Sequence, residues 1–438
     1  MMLTQPDGNA TAITVTPTWQ LFSTSGAAAA GSVNYGLRLR GGQTPANSNT
    51  ADVLIWGARL HYGASALTYV PTTTAAVYSL PRDYNPTTLA ALGVLVEEAR
   101  TNLLLRSEEF LATAWAVPAG SALALGNTTA PNGTPSAGKL TRAATSGVAL
   151  GYGAGGLGLT VTAVLHTVSF YAKADTQSSF TLAFVTLGKA LGSEVVFNLT
   201  AVTAGTVTNY GATTGSVASI VDVGNGWRRC TLSVTATAAT WFIQAEMPSA
   251  GAYWLWGAQL EVGAFATSYI PTVASQVTRA ADQISILTSA FPYSATEGTV
   301  FVDGSINGNG TGNTGWWALD AGGTQNGHAL RVAVGGNIVA ISRGLTTNQT
   351  VVGLASAVAG TFYGTAFAYS NENDRAISTE GAAAVAGSTA VGTINSATTL
   401  RFGFQQVTTT GGYLNGHIKR LAYYASRKTD AELVVLSS

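Results

Sequence analysis

Paired carboxylates are the first groups to examine for chemistry, because glycoside hydrolysis needs two of them held roughly 5–9.5 Å apart across a bond. The close glutamate pairs are Glu97–Glu98 and Glu108–Glu109. Adjacent residues on a strand face opposite ways, so neither pair is expected to converge, and no E-x-D-x-E string lines three carboxylates along one face. His61, His166, His328 and His417 stand far apart, without the H-x-x-x-H or H-x-H spacing that brings two imidazoles to one metal. No G-x-S-x-G elbow marks a nucleophile. Cys230 is the only cysteine, which excludes an intrachain disulfide and a Cys-based zinc site. It follows Trp227 in a β-alternating stretch and reads as a small buried apolar residue. Asn371-Glu372-Asn373-Asp374 offers the oxygen ligands Ca²⁺ takes, but an exposed hairpin tip explains the string better. No catalysis and no cofactor are expected.

Sugar recognition makes different demands: a flat aromatic face for pyranose C–H groups, with amides and carboxylates nearby for the hydroxyls. Trp316-Trp317 meets the first demand. Gly- and Asn-rich sequence precedes it, and Asp320, Asn326 and His328 follow. On a regular strand one indole would enter the core and the other would face solvent, so these five residues form the candidate carbohydrate site, with the 371–374 loop as a further contributor. Trp56, Trp227, Trp254 and Trp256 recur with a repeated signature and are read as core packing.

The elements that must position these groups follow from composition and pattern. Charged residues make up 10% of the 438, against about 25% in an ordinary globular protein. Lys plus Arg and Asp plus Glu balance at 21 each, and no basic cluster exists to displace the counterions of a nucleic acid. Nucleic acid is therefore not expected as a partner. The opening MMLTQPDGNA has neither a basic n-region nor an apolar h-region, so it does not read as a secretory signal. Residues 143–172 carry no Asp, Glu, Lys or Arg. Their glycines and threonines suit buried strands around a turn rather than a spanning helix, and no membrane insertion is expected.

The chain repeats itself. Residues 54–72 (LIWGARLHYGASALTYVPT) and 254–272 (WLWGAQLEVGAFATSYIPT) align without a gap. Trp56/Trp256, Gly57/Gly257, Leu60/Leu260, Tyr69/Tyr269 and Pro71/Pro271 are among the identities. The copies differ in what precedes them, so residues 1–85 read as the back portion of a module whose front is absent. Elsewhere strand-like runs such as HTVSFY, RCTLSVT and YWLWGAQLEV alternate between turn clusters. Residues 88–98 fit strand or helix. Thr429-Asp430-Ala431-Glu432 has the S/T-x-x-E form of a capping box before an apolar run. The expected fold is all-β: tandem β-sandwich (jelly-roll) domains, the first incomplete, ending in a short helix. The boundaries are 1–85, 86–285 and 286–438.

Several of these segments together resemble a family of tailed-bacteriophage and prophage virion proteins. They are Glu97 to Leu104 (EEARTNLL), Ser107-Glu108-Glu109-Phe110, the turn from Ala130 to Thr134, residues 169–174 (SFYAKA), Gly224 to Cys230 (GNGWRRC), Trp256 to Thr272 and Val277 to Asp282 (VTRAAD). In that family such strings build a carbohydrate-binding-module-like jelly roll. The C-terminal part resembles concanavalin A-like (laminin-G-like) lectin sandwiches, through GTVFV at 298–302, YLNGHIKRL at 413–421 and the terminal helix. The resemblance implies a protein made in the host cytoplasm and displayed on the virion exterior. A tail-fibre or receptor-binding component attaching to host cell-surface polysaccharide is the leading expectation. A purely architectural head-spike, decoration or baseplate protein is the alternative, and a glycan depolymerase the second. Expected partners are other virion proteins and further copies of itself, a homotrimer in the first instance.

Overall fold

The computed structural model describes residues 82–438, apart from positions 127, 144–145, 154–157, 309–312, 323–325, 345–347, 355–356, 371–373, 388–396 and 406–411. Before residue 82 it describes three short strands and a few isolated positions. The first unit, Met1–Leu80, contains Met2–Thr4 paired antiparallel with Ala10–Ala12 and with Leu37–Arg38. The first copy of the repeat, with Trp56 and His61, lies outside the described residues, and so does nearly all of the partial module expected over 1–85.

The second unit, Pro81–Ser438, holds two β-sandwiches, and all of its strand pairings are antiparallel. In the middle sandwich one sheet is centred on Ser179–Thr186 and Ala239–Met247. The other runs Val217–Asp222, Trp227–Thr235, Leu165–Ala174, Gly251–Val262, Gly138–Arg142, Ser121–Leu125. Period-two patterning decides which side chains meet between the sheets. Val168, Phe170 and Ala172 point inward from one strand, Cys230, Leu232 and Val234 from the next, and Phe180, Leu182 and Phe184 from the facing sheet. Each Val, Leu or Phe among them taken from water contributes roughly 1.5–3 kcal/mol. Cys230 is fully buried, as expected, and burial pushes its thiol pKa up.

Alternation fails at one place in Gly251–Val262. Tyr253 and Leu255 face the core, and then Ala258 and Leu260 do. The register against Leu165–Ala174 slips between Trp256, opposite Tyr171, and Gln259, opposite Ser169. Gly257 sits at the slip with φ +63, where a Cβ would lie 2.9 Å from the Tyr171 ring. This is a β-bulge that only glycine accommodates cheaply. It places Trp254, Trp256, Gln259 and Glu261 together on the outer face of the sheet.

The C-terminal sandwich is discontinuous in sequence. One sheet runs Ile284–Leu287, Thr399–Phe402, Thr314–Asp320, Gly327–Val332, Ile338–Arg343, Asn348–Leu354. The other runs Val385–Gly387, Arg375–Thr379, Phe362–Ser370, Glu297–Ser305, Gly416–Tyr424, Ala91–Val96, Arg82–Tyr84. Its last two strands precede the middle sandwich in the chain, so the boundary expected at residue 86 is displaced. Residues 88–98 contribute a strand, Val96 is fully buried in the C-terminal core, and Gly93 (φ +98) lets the backbone approach Ile418. The middle sandwich is thus inserted after the second strand of the C-terminal one. Its two crossings are tied together. Arg100–Asn102 pairs with Val277–Arg279, the Glu97 amide donates to Asp282 Oδ2 (2.9 Å), and the Asp282 amide donates to the Glu97 carbonyl (2.9 Å).

The expected terminal helix is Asp430–Ser437, with both arms of the capping box on Thr429 and Glu432. Leu433 packs it against Phe301, Ala366 and Ala368. Among the described residues no helix is long and apolar enough to cross a membrane; residues 143–172 contain the strands Gly147–Tyr152, Leu159–Val161 and the start of Leu165–Ala174.

A fragment of residues 286–438 lacks Ile284 and the Ala91–Val96 strand, leaving a raw edge beside Gly416–Tyr424. It is expected to elute as aggregate on size exclusion and to melt without cooperativity, while residues 81–438 melt cooperatively by circular dichroism. A well-folded 286–438 fragment would refute the shared sheet.

Candidate functional site

The five residues expected to bind sugar share neighbouring strands, but they line no open surface. Trp316 and Trp317 are both 0% exposed. The register slips between Gly315, opposite Arg331, and Trp317, opposite Leu330. This second bulge turns both indoles into the core, where Trp317 lies 6.1 Å from the Phe367 ring centroid. The one-in, one-out expectation is corrected by that slip. Asp320 is fully buried and accepts from Arg401 Nε (2.8 Å) and from the Gly322 amide (2.8 Å). Asn326 is nearly buried, at φ +68 in the turn before Gly327–Val332. His328 stacks on Tyr369 at 3.9 Å, with Nδ1 2.8 Å from Ser342 Oγ. Burial and the nearby Arg375 push its pKa down to about 3. Asn371, Glu372 and Asn373 lie outside the described residues, and Asp374 pairs with Arg427 at 2.8 Å.

The carboxylate pairs are spoken for. Glu97 accepts from the Ser268 amide (2.8 Å) and faces Arg279 (3.4 Å), whereas Glu98 pairs with Arg100. Glu108 accepts from the Tyr269 hydroxyl (3.2 Å), and Glu109 pairs with Arg106 (2.6 Å). His166 Nδ1 lies 2.9 Å from the Val164 carbonyl, and His417 Nε2 lies 2.8 Å from Asp83 Oδ2. Among the described residues no three His, Cys, Asp or Glu side chains form a metal-holding group. One carboxylate pair escaped the sequence reading because strand pairing alone assembles it. Glu194 and Glu246 flank Ala183 and Thr181 on the first sheet, and Lys189 Nζ pairs with both, at 2.9 Å from Glu246. Burial opposes the charge on Lys189, but the two carboxylates outweigh it and raise its pKa. An ammonium thus occupies the gap where a glycosidase would hold the scissile bond.

The family-like strings account for a buried polar knot. Asn102 Nδ2 donates to the Ala258 (3.1 Å) and Ile270 (2.9 Å) carbonyls, while Oδ1 accepts from the Leu104 and Leu260 amides (3.1 Å each). Gln259 donates to Glu261 (2.7 Å) and accepts from the Ile270 amide (2.7 Å); Glu261 also accepts from the Thr267 amide (3.0 Å). Buried polar groups satisfied this fully hold segments in place. Here they pin residues 263–272 over the sheet.

Beside the knot the outer face stays partly open. One row across the strands reads Arg229, Tyr171, Trp256, and the next reads Trp227, Lys173, Trp254, Lys139. Trp227 and Trp256 are covered by the 129–137 loop, with Nε1 donating to the Thr129 carbonyl and to Ser136 Oγ (3.0 Å each). They are buried as expected, but in a small cluster outside the main core. Trp254, Tyr171, Lys173 and Arg229 are half-buried. The Arg229 guanidinium lies 5.3 Å from the Tyr171 centroid, and Lys139 Nζ lies 5.3 Å from that of Trp254. Cations alternating with aromatic rings on a flat sheet can stack a sugar and hydrogen-bond its substituents.

No protein-family model matches the chain, and no curated protein does. Among solved structures, a carbohydrate-binding module, CBM40 of the Ruminococcus gnavus IT-sialidase bound to α2,3-sialyllactose, is similar at 16% identity over 33% of this chain and 84% of that one, with a TM-score of 0.28. A heptameric SAP-like pentraxin from Limulus polyphemus shows 14% identity over 33% and 70%, TM-score 0.26. A structure of botulinum neurotoxin type C, described as entering cells through two ganglioside molecules, shows 10% over 35% and 39%, TM-score 0.29. What this chain binds has to follow from its own residues.

The depressed His328 pKa ties stability to pH. Below its ordinary value of 6.5 the unfolded imidazole takes up a proton that the folded one refuses until about pH 3. Stability therefore falls as pH drops through that window, by about 2–3 kcal/mol over the first two units. His328→Phe is expected to flatten this loss, read as urea midpoints at neutral and mildly acidic pH; an unchanged slope would remove His328 as the cause.

Proposed function

We propose that this chain is an exterior structural component of a phage or phage-like particle that attaches to host surface glycans without catalysis. The observation that carries the binding part is the outer face of the middle sandwich, where half-buried Tyr171 and Trp254 alternate with Arg229, Lys173 and Lys139. The binding surface is placed there rather than at Trp316 and Trp317, whose rings are sealed in the core. The virion part is supported by the strings from Glu97 to Asp282 that resemble phage virion modules. A passive role is supported by the engaged state of Glu97, Glu98, Glu108, Glu109, Glu194 and Glu246. Weak single sites gain strength when several copies are displayed together, and a homotrimer would supply them.

A purely architectural role is favoured by one observation, the double crossing at Glu97 and Asp282, which stiffens the two sandwiches into a strut. The two readings separate on a glycan array and on intact cells. The binding role predicts a signal, normalised to the folded fraction that a melting curve gives for each variant, that falls about tenfold or more in Trp254→Ala and in Tyr171→Ala. Particles that lose integrity when the chain is deleted, with no glycan signal from the wild type, would establish the architectural role instead. Sedimentation equilibrium tests the trimer: a stable monomer at micromolar concentration rules it out.

A further inference from the structure

Resting on the glycan-binding reading, we propose that the outer face of the middle sandwich selects polysaccharides carrying uronate carboxylates. Two cations of this face stand outside any ion pair. Lys139 is answered by Asp175 at 2.7 Å, and Arg228, whose place in the strand puts it on the other side of the sheet, by Asp222 at 2.7 Å. Arg229 and Lys173 have no carboxylate partner among the described residues, in a chain whose acidic and basic residues balance. They sit on adjacent strands of one face, since Arg229 stands opposite Tyr171 and Lys173 opposite Trp227. That diagonal relation separates the two residues by about 7–8 Å, and their Cβ atoms by somewhat less.

Each cation lies beside a ring that a sugar can stack on. Arg229 lies over Tyr171, and Ser169 Oγ accepts from its Nη2 at 3.2 Å, fixing the plane of the guanidinium. Lys173 stands in register between Trp227 and Trp254. A pyranose stacked on Trp254 or Tyr171 directs its equatorial substituents sideways toward these heads. A carboxylate on the sugar ring accepts two parallel hydrogen bonds from a guanidinium, whereas a hydroxyl accepts one weaker bond. A neutral glycan would therefore gain stacking but leave both cations unanswered. A nucleic acid also combines anion and ring, but it presents a phosphate at every step and rewards a long basic track. Two uncompensated cations make a short one.

The test is titration calorimetry of the full chain with polygalacturonate, dextran and an oligothymidylate, at low and at high sodium chloride. Polygalacturonate is expected to bind about tenfold tighter than dextran or more, and to weaken as salt screens the two cations. Arg229→Gln and Lys173→Gln are each expected to reduce that affinity about three- to tenfold, with Arg229→Lys and Lys173→Arg recovering part. Both side chains are half-buried, so a melting curve accompanies each variant. Should Arg229→Gln fail to fold, Lys173→Gln and the salt dependence decide the matter. Equal affinity for dextran would overturn the acidic preference while leaving sugar binding intact. Tighter binding of oligothymidylate would assign the face to nucleic acid, and no binding of either polysaccharide would end both readings.

Discussion

The bulge at Gly257 is the constraint on which most of the middle sandwich depends. A strand that alternated without interruption would send Trp254 and Trp256 to one side and Gln259 and Glu261 to the other. The extra residue reverses the phase, and all four emerge on the outer face while Leu255 and Leu260 both stay in the core. That single backbone event lets one sheet face carry an aromatic platform at one end and a buried hydrogen-bond knot at the other. The first copy has Trp56 and Gly57 but reads Arg59, His61 and Leu67 where the second has Gln259, Glu261 and Thr267. What recurs in the sequence is the Trp-Gly-Ala string, and the residues that follow it differ.

The second organising feature is the insertion of one sandwich into the other. A module joined by a single linker swings by default, because little surface holds it. Here the chain leaves the C-terminal sandwich through Glu97 and returns through Asp282, and the two passages pair as strands. Glu98 adds a bond from its amide to Asn415 Oδ1 at 2.8 Å, and Arg279 donates to the Glu98 carbonyl at 2.9 Å. The string EEARTN is therefore a structural buckle. Its carboxylates meet cations and amides.

How much of this was legible in the sequence depends on the range of the interaction involved. The capping box at Thr429, the buried Cys230 and the alternating strands are set by neighbours a few residues apart, and all were readable. The two bulges were not. Gly257 looks like any turn glycine, and nothing in Gly315-Trp316-Trp317 announces that both indoles turn inward. The partner of Ala91–Val96 was hidden for a different reason. That strand pairs with Arg82–Tyr84 just before it, as consecutive strands usually do, but its other edge pairs with Gly416–Tyr424, more than three hundred residues on. The Lys189–Glu194–Glu246 group is likewise a product of register between three elements.

The two outer faces of the middle sandwich resolve their charge in opposite ways, and this bears on which one meets a ligand. On the first sheet an ammonium lies between two carboxylates above Ala183 and Thr181, both buried beneath it. The charges are satisfied internally, and a ligand would have to break them apart. On the second sheet Arg229 leans on the Tyr171 ring, and Lys173 stands in register between Trp227 and Trp254. Such contacts are worth about 0.5–1 kcal/mol at exposed sites, well below a charge-assisted bond to a carboxylate. Arg229 and Lys173 thus keep most of their capacity for an anion while their rings stay positioned for stacking. A closed ion triad stabilises a sheet, and an unanswered cation beside a flat ring leaves it ready to bind.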